Sequence, residues 1–223
     1  MVDEYLDERE QAEQLKQWFK ENWLWMVAGI GLGLGSLYGW QGYNAYLDGK
    51  SQDAGQRFAA MLQAFDSADL AKGREIGSEI ISKYASTPYA DQTIMVIARV
   101  DAETEQFDDA AAKLRQVMEQ SKDQELALVA RIRLARVQLA QGKQDDALAT
   151  LEGANAPAIE AAVAELRGDA LLAKGDAAAA LTAYQQSLAA NASAGEPALV
   201  DAELLQLKID KLSATGAAPK TGS

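Results

Sequence analysis

The chain contains no histidine and no cysteine, so it lacks the commonest general base, the commonest metal ligand and the thiol nucleophile. Proton-transfer or metal chemistry would fall to carboxylates, and the acid pairs Asp108-Asp109 and Asp145-Asp146 are the places to look. Each pair stands just ahead of an apolar helical pattern, where carboxylates offset the partial positive charge of a helix N-terminus. That position explains them without chemistry. Glycines are dense from Gly29 to Gly35, but no Gly-rich phosphate loop ending in Lys-Ser or Lys-Thr is present, and these glycines lie inside a long apolar stretch. The residue types argue against an enzyme and against a bound cofactor or metal, and leave protein binding as the expected activity.

The elements that would position a binding surface begin with 26 residues that carry no charge, Asn22 to Leu47. As a helix rising about 1.5 Å per residue the run reaches ~39 Å, against a ~30 Å hydrocarbon core of a bilayer. Trp23 and Trp25 mark one edge and Tyr38, Trp40, Tyr43 and Tyr46 the other, where amphipathic rings favour the headgroup layer. A cleaved signal peptide would need a basic leader, a shorter apolar core and a small-residue cleavage site. Residues 1–21 instead hold seven acids against Arg9, Lys16 and Lys20, and no Ala-x-Ala closely follows the run. The expectation is an uncleaved, single-pass transmembrane anchor over 22–47. Three basic residues precede it, Lys50 and Arg57 follow it, and there is no second apolar run. The positive-inside rule then puts the acidic head, 1–21, in the cytoplasm and residues 48 onward outside.

Net charge is −12, from 21 basic and 33 acidic residues, and an acidic body repels phosphate, which argues against nucleic acid as a partner. With 48% hydrophobic residues and a long segment beyond the anchor, the body is large enough to bury a core of its own. The absence of cysteine excludes disulfides and fits a reducing or an oxidising compartment equally.

Placed at 100° per residue, the glycines of the run fall into stripes. Gly31, Gly35, Gly39 and Gly42 share one side; Gly29, Gly33 and Ser36 share another; Val27, Ile30, Leu34 and Leu37 fill the sector between. Small stripes let membrane helices approach closely enough for backbone packing, so two helical neighbours are expected.

Beyond the run, apolar residues recur at three- and four-residue spacings with abundant alanine, which predicts an all-α body. Comparing the chain with itself reveals a repeat. Gly142, Ala147 and Leu148 recur as Gly175, Ala180 and Leu181, and an earlier copy carries Ala110 where the next carries Ala147, with Glu105 at the glycine position. Ala98, Ala135 and Gly168 are the small residues where the two helices of each hairpin cross. The glycines supply the left-handed backbone that ends the first helix.

These residues resemble tetratricopeptide repeats, with the closest copy at 161–188. The resemblance implies a helical solenoid over 48–212, with three to four hairpins covering about 55–190. In this reading 76–85 is the second helix of a first unit, Pro88 opens the next, and a closing helix runs from Pro197 to Leu212. Residues 213–223 are small and polar and read as a disordered tail. The pattern places the first helix of each hairpin on the inner, peptide-binding face: Arg99, Arg136 and Asp169 at one position, Met95, Ile132 and Glu165 at a second, Ala102, Leu139 and Leu172 at a third. The aromatic residues usual in the first helix are missing, and Arg131 and Gln138 stand at two such places.

The acidic head ending in Gln17-Trp-Phe-Lys-Glu-Asn-Trp23, the Gly-rich run closing on Gly39-Trp40, and the degenerate helical repeats together are similar to the YfgM family. That resemblance implies an ancillary subunit of the Sec (SecYEG) translocon in the bacterial inner membrane. The repeats would lie in the periplasm beside the membrane-anchored peptidyl-prolyl isomerase PpiD, where they would assist chaperone traffic of exported polypeptides. A membrane-anchored regulatory scaffold, holding a cytoplasmic signalling protein through the acidic head, is the alternative, and an accessory subunit of one dedicated enzyme is a third.

Overall fold

A computed structural model describes residues 2–154, 156–194 and 200–216. Among the described residues the regular structure is helical, without strands: α1 (Val2–Asp66), α2 (Leu70–Lys83), α3 (Pro88–Glu103), α4 (Phe107–Gln120), α5 (Gln124–Ala140), α6 (Gln144–Leu151), a 3-10 turn at Pro157–Ile159, α7 (Glu160–Ala173), α8 (Ala177–Ala194) and α9 (Ala202–Ala214). The chain divides into two units, Met1–Asp53 and Ala54–Ser223.

The first unit is helical throughout its described length, and its apolar residues are exposed on every side: Trp25 is 77% exposed and Leu32 74%. A Cβ added at Gly29, Gly31, Gly33, Gly35, Gly39 or Gly42 would meet nothing within 4 Å. Among the described residues no helix is long and apolar enough to cross a membrane. Over 22–47 the helix is uninterrupted, and what lowers its mean hydropathy is the content of glycine, tryptophan, tyrosine and polar amides.

The second unit is built from hairpins. The expected second helix of a first unit is α2, and it packs against the end of α1 around Met61, Phe65 and Ile80. Its glycines permit close approach, since a Cβ at Gly77 would stand 2.8 Å from Ile97 Cδ1 and 3.1 Å from the Met61 sulfur. Pro88 occupies the first turn of α3, where a missing N–H costs nothing. Helices α3 and α4 share a second cluster with α5, and α5 to α9 share a third that contains the fully buried Tyr184 and Leu205. The expected closing helix begins at Ala202 and reaches Ala214; residues 197–199 and the tail beyond 216 lie outside the described residues.

One turn closes the first helix of all four hairpins. The N–H groups of Asp69, Gln106, Lys143 and Asp176 donate to the carbonyls of Ala64, Asp101, Gln138 and Leu171 at 2.7–2.9 Å. The residue before each donor has a left-handed backbone: Ala68 (φ 59°), Glu105 (60°), Gly142 (72°) and Gly175 (85°). This is the helix-ending motif expected of the two glycines, repeated at two residues that carry a Cβ. An L-residue in this region costs roughly 1–2 kcal/mol, part of which glycine gives back through the entropy of the unfolded chain. Glu105→Gly is therefore expected to stabilise the second unit by about 0.5–1 kcal/mol, raising its melting temperature by ~1–4 °C. A melting temperature that falls would contradict the assignment.

Spacing between turns drops from 37 residues (Glu105 to Gly142) to 33 (Gly142 to Gly175) because α6 is short. It runs 8 residues against 14 in α4. Arg131 and Gln138, out of pattern as residue types, have structural work here. Arg131 Nη1 donates to the carbonyls of Thr150 and Glu152 at 3.3 and 3.0 Å, and Arg167 Nη2 to that of Leu151 at 3.2 Å, so two guanidinium groups cap the C-terminus of α6. Gln138 Oε1 accepts from the Thr150 hydroxyl at 2.8 Å.

Candidate functional site

The first helices of the hairpins carry the residues expected on a binding face, and burial sorts them. Met95 and Ile132 are buried, Met95 in the second core cluster and Ile132 in the third. Leu139 packs half-buried against the third cluster, while Leu172 is exposed. Arg99 and Arg136 are exposed.

Glu165 and Asp169 are drawn together by a residue far away in the chain. Lys208 of α9 reaches Glu165 Oε1 at 3.0 Å and Asp169 Oδ1 at 2.8 Å, and its ammonium lies 5.3 Å from the centre of the Tyr184 ring. The Tyr184 hydroxyl donates to the same Asp169 oxygen at 2.7 Å. Burial pushes the Tyr184 hydroxyl up, and Asp169 and Glu165 push it further, so the phenol keeps its proton. For Lys208 burial works toward loss of the proton, but the bonds to Asp169 and Glu165 outweigh it and the pKa rises. Gly168 makes room for this arrangement, because a Cβ there would run into the Tyr184 ring. The closing helix is thus fastened through two of the residues expected to face a peptide.

Next to this acidic end lies a shallow groove of about 160 Å³ lined by Val129, Ile132, Arg133, Arg136, Ile159 and Ala162. Its sides come from α5, the 3-10 turn and the start of α7. Arg133 is exposed as a residue, but partial burial of its guanidinium, with the positive charges of Arg99 and Arg136, pulls its pKa below the ordinary value. Arg133 and Arg136 line this groove, and the charge of Arg99, from the preceding hairpin, also acts on Arg133. Sequence reasoning named Arg99 and Arg136 but not Arg133, three residues before Arg136 and so one helical turn away on the same face.

The acid pairs sit where helix termini want them. Asp108 and Asp109 lie in the first turn of α4, Asp145 and Asp146 in that of α6. Asp108 also accepts from Gln141 Nε2 at 2.7 Å and pairs with Lys143 at 3.3 Å, and Asp145 pairs with Lys174. Each links the turn of one hairpin to that of the next, through exposed contacts of small energy.

A family described as tetratricopeptide repeat-like domain matches residues 16–214. Among characterised proteins, the ancillary SecYEG translocon subunit of Escherichia coli (strain K12) is 31% identical over 212 residues, covering 94% of this chain and 98% of the relative. The protein of the same name from Haemophilus influenzae is 29% identical over 182 residues, covering 82% and 89%. That of Neisseria gonorrhoeae is 27% identical over 212 residues, covering 93% and 98%. No solved structure matches the chain.

Proposed function

The chain belongs to the tetratricopeptide repeat-like family of the ancillary SecYEG translocon subunits, the YfgM family, and from that premise we propose that it is a membrane-anchored translocon accessory that works by protein binding. The observation that carries the reading is the extent of the likeness, which takes in 94% of this chain and 98% of the Escherichia coli relative. The family match likewise runs without a break from 16 to 214.

The helix over 22–47 is the anchor in this proposal. Its mean hydropathy is modest, but tryptophan and tyrosine at the two edges belong in the headgroup layers, and glycine belongs at helix contacts within the membrane. A helix bearing Leu24, Val27, Ile30, Leu32, Leu34 and Leu37 exposed all round needs lipid or protein to cover it. The head lies in the cytoplasm and the repeats in the periplasm. There they meet exported polypeptides and a membrane-anchored peptidyl-prolyl isomerase, with the translocon as the neighbour in the bilayer.

Tethering sets the affinity this work requires. An anchor packed beside the translocon holds the repeats at high effective concentration next to emerging chains, so weak contacts are occupied without being tight. Neither catalysis nor a cofactor has a part in it. Photocrosslinkers placed at Leu34 and at Arg136 in living cells provide the test: the first is expected to reach a SecYEG helix and the second an exported chain or the isomerase. Adducts to cytoplasmic proteins alone would overturn the proposal in favour of the regulatory scaffold.

A further inference from the structure

We infer that the groove lined by Arg133 and Arg136 receives acidic polypeptide segments that carry an apolar side chain, which names the class of client on the proposed reading and rests on it. The two halves of the binding face differ in how their charges are matched. Its acids, Glu165 and Asp169, share the single ammonium of Lys208, and Asp169 also accepts from the Tyr184 hydroxyl, so one of their two charges is offset within the fold. The arginines are not matched in this way. Among the described residues Arg99 has only the long 3.6 Å pair to Glu103, both groups well exposed, and Arg133 and Arg136 have no ion-pair partner within 4 Å.

Like charges gathered at one place cost free energy unless a counter-ion joins them, and here they persist in a chain of net charge −12. The guanidinium fork suits carboxylates in particular. Between the arginines, Val129, Ile132, Ile159 and Ala162 give an apolar floor large enough for one aliphatic or aromatic side chain, not for a folded domain. An extended or helical segment that alternates Asp or Glu with Leu, Val or Phe meets both requirements. A basic segment meets neither, and nucleic acid is opposed by the charge of the rest of the molecule.

The experiment uses the full chain in mild detergent and fluorescence anisotropy with two labelled peptides of the same apolar residues, one spaced by glutamates and the other by lysines. The glutamate peptide is expected to bind about tenfold more tightly, with affinity falling as salt rises. Arg133→Glu with Arg136→Glu should abolish that preference, and Arg133→Gln with Arg136→Gln should reduce it. Both residues are exposed, so helix content should be unchanged; if the double reversal unfolds the protein, the glutamine pair is read instead. Equal binding of the two peptides, variants that bind like the parent, or displacement of the glutamate peptide by a single-stranded oligonucleotide at equal charge concentration would each overturn the inference. Co-purification of the charge-reversed chain with SecYEG separates the two readings. Retention there leaves the translocon assignment standing whatever the peptides do, and loss from the parent chain itself counts against that assignment.

Discussion

Replacing Arg74 and Lys113 together by methionine is expected to destabilise the repeat unit by about 3–5 kcal/mol, the cost of leaving a buried carboxylate without its cations. The carboxylate is Asp101, fully buried on α3, with Arg74 Nη1 of α2 at 2.6 Å from Oδ1 and Lys113 Nζ of α4 at 2.8 Å from Oδ2. Neither approach is aligned as a hydrogen bond, so charge holds the three helices at this point more than bond direction does. Both cations are about one-third exposed, which predicts a gentler loss for Asp101→Leu, since the bases left behind can turn toward water. The other hairpins already dispense with the arrangement: Ala64, Gln138 and Leu171 stand at the equivalent place. Adding Asp101→Leu to the methionine pair should therefore restore most of the stability, as apolar replacement of a whole buried ion cluster commonly does. Urea unfolding of the three variants checks this, and a triple variant no more stable than the double would contradict it.

Gly31→Leu with Gly35→Leu is expected to lower co-purification with SecYEG about tenfold while leaving the protein in the membrane, because the two leucines fill the stripe proposed for helix contacts and also make the helix more apolar. Open space beside both glycines means that the chain itself accommodates the larger residues, so a loss cannot be blamed on its own packing. The same pair at Val27 and Ile30, in the bulky sector, is the control and should change little. A recovery of SecYEG unaffected by the glycine variants would show that the stripe faces lipid.

What the sequence made legible was local. Gly142 and Gly175 announce their turns by residue type, Pro88 announces the start of α3, and Ala98, Ala135 and Gly168 mark the helix crossings by their size. The first hairpin was harder to read because its turn residue is Ala68, which gives no sign of a left-handed backbone. The spacing predicts a binding face of three equivalent positions in a periodic array, and periodicity carries no information about what a later element brings. Lys208 reaches residues 39 and 43 positions earlier, through a closing helix that belongs to no repeat. Arg133 acquires meaning only when Ile159 and Ala162 of the following hairpin close a groove beside it. Arg131 looked like a lapse from the aromatic pattern, and is a cap on the short helix α6. In each case the deciding partner lies in another helix, where spacing along one helix cannot show it.

The most direct measurement is proteolysis of intact spheroplasts compared with lysed ones, followed by carbonate extraction and detection with antibodies to each end. Protease added outside should remove the repeats and leave a membrane-embedded fragment of the first unit, with the head cut only after lysis. Repeats protected until lysis, or a full-length chain released by carbonate, would contradict a periplasmic repeat array held by a helix in the inner membrane.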